Sequence, residues 1–259
     1  MLPAPCYVVS DLHLGAHTAG LESRFRGFLR ALDGRAGSLL IAGDLFDFWF
    51  EWRTVVPRPA YRVLAALADL RDRGLPILWI AGNHDCWGGD VLQRDVGVEY
   101  HVGPWTGAIA GWRVRVEHGD GLRAREDRRY RALRTVLRHP LSIALFRRLH
   151  PDFATRVATG SSEASRTHRA LDGGSGLRAV AFRQLNDEPS LDAVIYGHSH
   201  VPSLDRAPGG GVYANAGSWL DQPTFLRIDA ERAVLARWTE SAEEESLHVL
   251  DRPPEKALG

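Results

Sequence analysis

Five short stretches of this chain end an apolar run in a side chain that can bind a cation or move a proton. Asp11 and His13 follow Tyr7-Val8-Val9, Asp44 and Asp47 follow Leu39-Leu40-Ile41-Ala42, and Asn83 and His84 follow Leu78-Trp79-Ile80. His118 follows Val114-Arg115-Val116, and His198 and His200 follow Val194-Ile195-Tyr196. Carboxylate, imidazole and amide donors without thiolates suit borderline-hard divalent ions such as Mn²⁺, Fe²⁺ or Zn²⁺, and argue against a structural zinc. Asp-x-His and His-x-His put two donors from one turn onto one ion. Asp44 is the candidate for a carboxylate shared between two ions, which spaces them about 3.5–4 Å apart and suits hydrolysis at phosphorus. The neutral oxygen of Asn83 keeps such a site cationic enough to attract a phosphate.

These residues need a scaffold that delivers them to one edge. Cys6 to Val9, Leu39 to Ala42 and Ile77 to Ile80 read as buried strands. Between them, Leu21 to Leu32 and Ala60 to Arg73 carry apolar residues at helical spacing. Strand, helix, strand in this rhythm predicts a parallel α/β sheet, whose carboxyl edge is where open α/β folds bind ligands. Trp112 to Glu117 alternates with period two, as a half-exposed strand does. From Arg123 to about Leu171 the pattern is helical, with leucine stripes flanked by many arginines. Gly173 to Gly176 is expected to be a loop. Strands resume at Ala193 to Tyr196, and the segments at Val212, Phe225 and Val234 read as a closing antiparallel set. The acidic tail after Glu240 is expected to be mobile.

Composition narrows the chemistry further. The 259 residues fit one domain with an insertion, and 32 basic against 32 acidic side chains argue for no global field toward nucleic acid. Lys256 is the sole lysine, which removes Schiff-base chemistry and a P-loop. Cys6 and Cys86 form neither a disulfide framework nor a zinc-finger spacing. Met1 to Pro5 lacks the pattern of a signal peptide, and no apolar run approaches the ~18 residues of a membrane span, so the expected compartment is the cytoplasm.

Ser10-Asp11-Leu12-His13-Leu14, Gly43-Asp44-Leu45-Phe46-Asp47, Gly82-Asn83-His84-Asp85, His118-Gly119-Asp120 and Gly197-His198-Ser199-His200, in this order, resemble the signature blocks of the calcineurin-like metallophosphoesterase superfamily. The resemblance implies a four-layer αββα sandwich. It also implies that Asp11, His13, Asp44 and His200 hold one metal and Asp44, Asn83, His118 and His198 a second. His84 would contact the phosphate and protonate the leaving group, and Asp47 would orient His84. A narrower resemblance rests on Asp44 to Trp49, His118 to Leu122, Arg148-Leu149-His150-Pro151 and Ser161 to Arg166. These are similar to the UDP-2,3-diacylglucosamine diphosphatases of lipid A synthesis. Those enzymes use Mn²⁺ and water attack at the α-phosphorus to give UMP and 2,3-diacylglucosamine 1-phosphate. That likeness implies one metallophosphoesterase domain over 1–259 with a helical lid at about 122–171, and peripheral association with the anionic inner-membrane surface. No nucleic acid and no stable protein partner is implied. Substrate contacts are then expected from Asn83, His84, Tyr130, Arg134, Ser161 and Arg166. Some members carry Arg where His84 stands. A substrate-holding lysine of the family is replaced here by Ser162, with Arg156 or Arg166 as substitutes.

Other residues read as ordinary. His17, His101, His139, His168 and His248 are expected on the surface or satisfied in the core, and His150 is expected to cap or to pack. Asp85 and Asp120 are expected to support ligands or turns. Phe48 to Trp52 are expected to pack as core or cap, and the arginine run is either a solvated face or a surface for substrate or membrane. Two alternatives stay open: another metal-dependent phosphodiesterase or nucleotide pyrophosphatase of the superfamily, and a non-catalytic scaffold.

Overall fold

The computed structural model describes residues 1–15, 18–166 and 172–254. β1 (Cys6–Val9), β2 (Ser38–Ile41) and β3 (Ile77–Ile80) are short, entirely buried and mutually parallel. α1 (Ala19–Leu32) joins the first two, and α2 (Tyr61–Asp72) joins the second and third. β4 (Glu99–His101) extends the parallel set beside β3. β5 (Trp105–Ile109) and β6 (Trp112–Val116) then form a hairpin that starts a second sheet. After the helices described below come α6 (Ser175–Asp187), β7 (Ala193–Tyr196), β8 (Ser203–Arg206) and β9 (Val212–Asn215). β10 (Thr224–Ile228), β11 (Arg232–Trp238) and β12 (Glu244–Asp251) return to the first sheet. The strand orders are β12-β11-β10-β1-β2-β3-β4 and β5-β6-β7-β9-β8.

Alternation along each strand sorts side chains into layers. Val8, Leu40, Leu78 and Ile80 face Trp112, Val114, Ile195 and Ala214 in the core between the two sheets. Tyr7, Ile41 and Trp79 face the other way, against Phe25, Phe28 and Leu67 of α1 and α2. Val194, Tyr196 and Tyr213 pack on Leu177 and Leu185 of α6. The result is four layers, helix, sheet, sheet, helix. The parallel sheet expected from the strand–helix rhythm is therefore half of a sandwich. The expected closing set is split: β9 lies parallel to β7 in the second sheet, while β10 and β11 are antiparallel in the first.

Two further readings are corrected. Within the segment after Glu240, Glu244–Asp251 form β12, paired with β11 along its length. Its acidic start is neutralised in part by Arg237, 2.6 Å from Glu245. The glycine-rich loop ends sooner than expected, because α6 begins at Ser175. There Asp172 accepts from the amides of Gly174 and Gly176, and left-handed Gly174 (φ 81°) leads into the helix.

The arginine-rich region forms α3 (Arg128–Leu137), α4 (Pro140–Phe146) and α5 (Pro151–Arg166). His139 caps α4 by accepting from Leu141 N, with Pro140 in the first turn, and His150 Nδ1 accepts from Asp152 N at the start of α5. α3 and α4 bury no residue completely. α4 and α5 are fastened to the sandwich by an aromatic floor of Phe48, Phe50, Trp52 and Trp87, into which Phe146 and Ala154 insert, and Trp87 Nε1 donates to Leu137 O at the end of α3. The Phe50 and Phe146 rings are 4.9 Å apart, and the Arg147 guanidinium lies 5.8 Å over Phe50. The Phe48–Trp52 group is thus packing, as its composition suggests. Glu51 locks the loop that bears it, accepting from Gly89 N (2.8 Å) and Val91 N (3.1 Å). No helix among the described residues is long and apolar enough to cross a membrane.

Candidate metal centre

Because β1, β2 and β3 are parallel in one sheet and β6, β7 and β9 in the other, their carboxyl ends meet at one edge of the sandwich. The turns there bend sharply. Asp11, His13, Asp44, His198 and His200 all adopt positive φ, between 47° and 63°. A non-glycine residue in that region costs about 1–3 kcal/mol and is retained where the surroundings impose it. Gly43 (φ 93°) leaves room for the His118 ring, with which any β-carbon at that position would collide.

The side chains converge. Asp11, His13 and His200 form one group with ligand atoms all within 4.8 Å of one another, and so do His13, Asp44 and His84, and Asp11, Asp44 and His118. His13 Nε2 is 3.1 Å from His200 Nε2, and His200 Nε2 is 3.5 Å from Asp11 Oδ1. His118 Nε2 is 3.2 Å from Asp44 Oδ2 and 3.2 Å from Asn83 Oδ1. His198 lies outside these three groups and joins through Asn83, whose Oδ1 is 3.1 Å from His198 Nδ1. Asp44 has His13, His84 and His118 all within 4.0 Å of Oδ2, the position of a shared ligand.

Whether these residues suit a cation is decided by their lone pairs. His118 Nδ1 donates to the Ala42 carbonyl at 2.9 Å, so Nε2 is the nitrogen turned toward the oxygens of Asp44 and Asn83. The His13 and His200 nitrogens likewise face each other. Nitrogens and oxygens crowd together in both places, and a cation between them, whether a proton or a metal ion, makes the arrangement favourable. The donor set of nitrogens and oxygens therefore fits divalent metal ions.

The electrostatics agree. Burial raises the pKa of Asp11, opposed by His118 and His200. Burial also opposes ionisation of Asp44, but His118, His84 and His13 overcome it and hold the carboxyl well below its usual value. Burial works against the His118 charge too, yet Asp44 and Asp11 raise its pKa. Burial pushes His13 down and takes His198 to about 4, which leaves both as neutral imidazoles ready to ligate.

The surrounding contacts fix the turns. Asp11 accepts from His198 N at 2.9 Å, and Asp44 accepts from His84 N at 2.9 Å. His84 Nδ1 donates to the backbone carbonyl of Asp47 at 2.8 Å. The Asp47 carboxylate lies 3.9 Å from His13 Nδ1. Buried Asp85 accepts from Leu45 N, Gly82 N and Trp79 Nε1, tying the β2 and β3 turns together. Asn215 and Ser218 do the same on the far side, through Gly197 O and Asp11 O. Sequence reading missed both. The one signal was an Asn at the end of an apolar run, at the close of β9.

Beside the centre, under α3, is a cavity of about 190 Å³ reached by Asn83, His84, Tyr130 and Arg134. Arg138, one of the arginine run, and Cys86 also line it. Ser161 and Arg166 lie in α5, but their side chains fall outside the described residues, as do His17 and His168.

Residues 4–202 match the calcineurin-like phosphoesterase family. The chain is 32% identical to the UDP-2,3-diacylglucosamine hydrolase of Porphyromonas gingivalis over 75% of its own length and 82% of that protein. It is 33% identical to the UDP-2,3-diacylglucosamine hydrolase of Stenotrophomonas maltophilia over 86% of its own length and 94% of that protein. The solved structure of GAP50, the anchor in the inner membrane complex of Plasmodium, superposes with a TM-score of 0.50 at 11% identity, covering 97% of this chain and 89% of that one. That likeness concerns the fold alone.

Proposed function

This chain belongs to the calcineurin-like phosphoesterase family, and from that premise we propose that it hydrolyses the diphosphate of UDP-2,3-diacylglucosamine to UMP and 2,3-diacylglucosamine 1-phosphate. The observation that carries the reading is a polar histidine–carboxylate centre opening into a cavity whose other wall, α3, offers both guanidinium and leucine side chains. A substrate with an anionic middle and acyl arms matches such a space. The relatives bearing that activity in their names support the same substrate.

We assign Asp11, His13, Asp44 and His200 to one divalent ion and Asp44, Asn83, His118 and His198 to a second, with Mn²⁺ as the proposed metal. When bound, the two ions supply the Lewis acidity that makes water nucleophilic at neutral pH. His84 lines the cavity, and with Nδ1 engaged on Asp47 O its Nε2 is the nitrogen that handles the proton. Water gives up a proton to solvent as it adds to the α-phosphorus, the bond from that phosphorus to the bridging oxygen breaks, and the departing phosphate oxygen takes the proton held at His84 Nε2, which solvent then restores. Asp47 holds the ring in that orientation. Tyr130, Arg134, Ser161 and Arg166 are proposed to hold the substrate with Asn83 and His84.

The proposed domain plan is one sandwich over 1–259, with a lid at about 122–171 that shelters the acyl chains. Leu141, Leu145, Phe153 and Val157 are each more than half exposed on that lid, beside Arg147 and Arg148. This face is proposed to rest on an anionic membrane surface, which places the protein at the inner face of the inner membrane. The test is mass spectrometry of the products from UDP-2,3-diacylglucosamine and Mn²⁺-loaded protein. UMP with an acylated sugar phosphate is the expected result. Hydrolysis of a chromogenic phosphodiester with the sugar nucleotide left intact would reassign the substrate while leaving the chemistry.

A further inference from the structure

α3 turns one unusual face toward the cavity. Tyr130, Arg134 and Arg138 follow one another at intervals of four, so they stack on one side of the helix and its C-cap. All three converge on a single carboxylate oxygen. Asp120 Oδ2 accepts from the Tyr130 hydroxyl at 2.8 Å and Arg134 Nη1 at 3.2 Å, with Arg138 Nη2 at 3.5 Å. Arg134 also donates to the Asp120 carbonyl at 2.8 Å. Asp120 is buried and stands two residues after His118, so the trio is referenced directly to the candidate metal centre.

Among the described residues the charges do not balance. Two guanidiniums share one carboxylate, leaving an excess positive charge on a cavity wall. The carboxylate of Asp47 also lines the cavity but belongs to the metal side, near His13. Arg138 is the telling member. Its side chain is only 26% exposed, yet its contact is the longest of the three and goes to an oxygen that already has two shorter donors. The Cys86 thiol and the Tyr130 hydroxyl are also near it. Removing a guanidinium from water costs more than so weak a contact returns. As a fold element Arg138 is poorly placed. As a fork aimed at an incoming anion it is well placed, because guanidinium pairs with phosphate oxygens in bidentate fashion.

We propose that Arg138, together with Arg134, forms a second anion subsite for the phosphate on the leaving side of the scissile bond, and so selects substrates carrying two linked phosphates. Asp120 and Tyr130 preset the forks without neutralising them. The proposal rests on reading the chain as a hydrolase of diphosphates, and it adds the group that recognises the second phosphate.

The experiment measures UDP and UMP as competitive inhibitors of chromogenic phosphodiester hydrolysis by the Mn²⁺-loaded protein. Wild type is expected to bind UDP about tenfold more tightly than UMP, the scale of a charge-assisted contact. Arg138→Gln is expected to bring that ratio close to one, and Arg138→Lys to restore part of it. Arg129→Gln, at an exposed position on the same helix, controls for loss of one positive charge and is expected to keep the wild-type ratio. A wild-type ratio near one overturns the proposal, as does a full ratio in Arg138→Gln or equal loss in Arg138→Gln and Arg129→Gln. A protein that ignores UDP-2,3-diacylglucosamine but keeps an Arg138-dependent preference for UDP would retain the subsite and lose the lipid substrate.

Discussion

At the scale of single residues, the site is held in conformations its side chains do not favour. Asp44 sits at φ 51° with its carboxylate among three imidazoles. Two consequences of the same position can be separated. Replacing Asp44 by Ala or by Gly removes the shared carboxylate, and each is expected to lower hydrolysis at least about a thousandfold, the scale of a lost electrostatic clamp. Bound metal, counted by plasma mass spectrometry, is expected to fall by at least one ion. The two variants are expected to differ in stability, because only glycine relaxes at positive φ. Denaturant titration should find Asp44→Gly more stable than Asp44→Ala by about 1 kcal/mol. Equal stabilities would mean that the turn is not strained. Retained turnover in either would remove Asp44 from the bridging position.

At the scale of elements, the aromatic floor joins the helical region to the loop that carries Asp44 and Asp47. Phe48 follows Asp47 directly, and Trp49 N donates to His84 O at 3.0 Å, so the loop that seats Phe146 also carries the groups around His84. Phe146 is partly buried, so Phe146→Ala is expected to cost about 2 kcal/mol, less than the 3–5 of a fully buried ring. The cost should be local. Trypsin is expected to cleave faster after Arg147 and Arg148 while the main melting transition stays in place. A uniform fall in melting temperature without faster cleavage would show instead that these helices fold as one body with the sandwich. The same elements explain what could be read in advance. Asp11, Asp44, Asn83 and His198 each follow an apolar run and a turn, a local pattern that burial in a sheet imposes, so they were visible. Which sheet a strand joins is a tertiary matter, and β9 and β10 were therefore grouped wrongly. β12 is mostly exposed at a sheet edge, so its sequence resembles a tail, and its order comes from pairing with β11. Arg138 reads as a surface arginine until α3 is laid over Asp120.

At the scale of the whole molecule, balanced composition hides a segregated charge. Residues 122–158 hold ten arginines against three carboxylates, a net of +7, so the remainder of this formally neutral chain carries −7. Metal binding at the candidate centre would be a second global influence. If Mn²⁺ binds only the folded state, saturation at about a hundred times the dissociation constant adds about 2.7 kcal/mol. For a chain of this size that is an upward shift of about 5–10 °C in melting temperature. Scanning calorimetry with Mn²⁺ and with chelator measures it, and identical transitions would deny a folded-state metal site. The charge segregation argues the remaining case. Apolar side chains at Leu141 and Leu145 supply insertion energy, and clustered arginines add about 1 kcal/mol each beside an anionic surface, an attraction that salt screens. Cosedimentation is therefore expected with vesicles rich in anionic lipid, to weaken as salt rises, and to fall several-fold in a Leu141→Asp/Leu145→Asp double variant. Both substitutions lie on exposed positions of α4, so the fold has little reason to respond. Equal binding to neutral vesicles would leave only the apolar contribution. No binding to either would mean that these leucines serve the substrate's acyl chains alone, and that the lipid reaches the cavity without the protein docking on a bilayer.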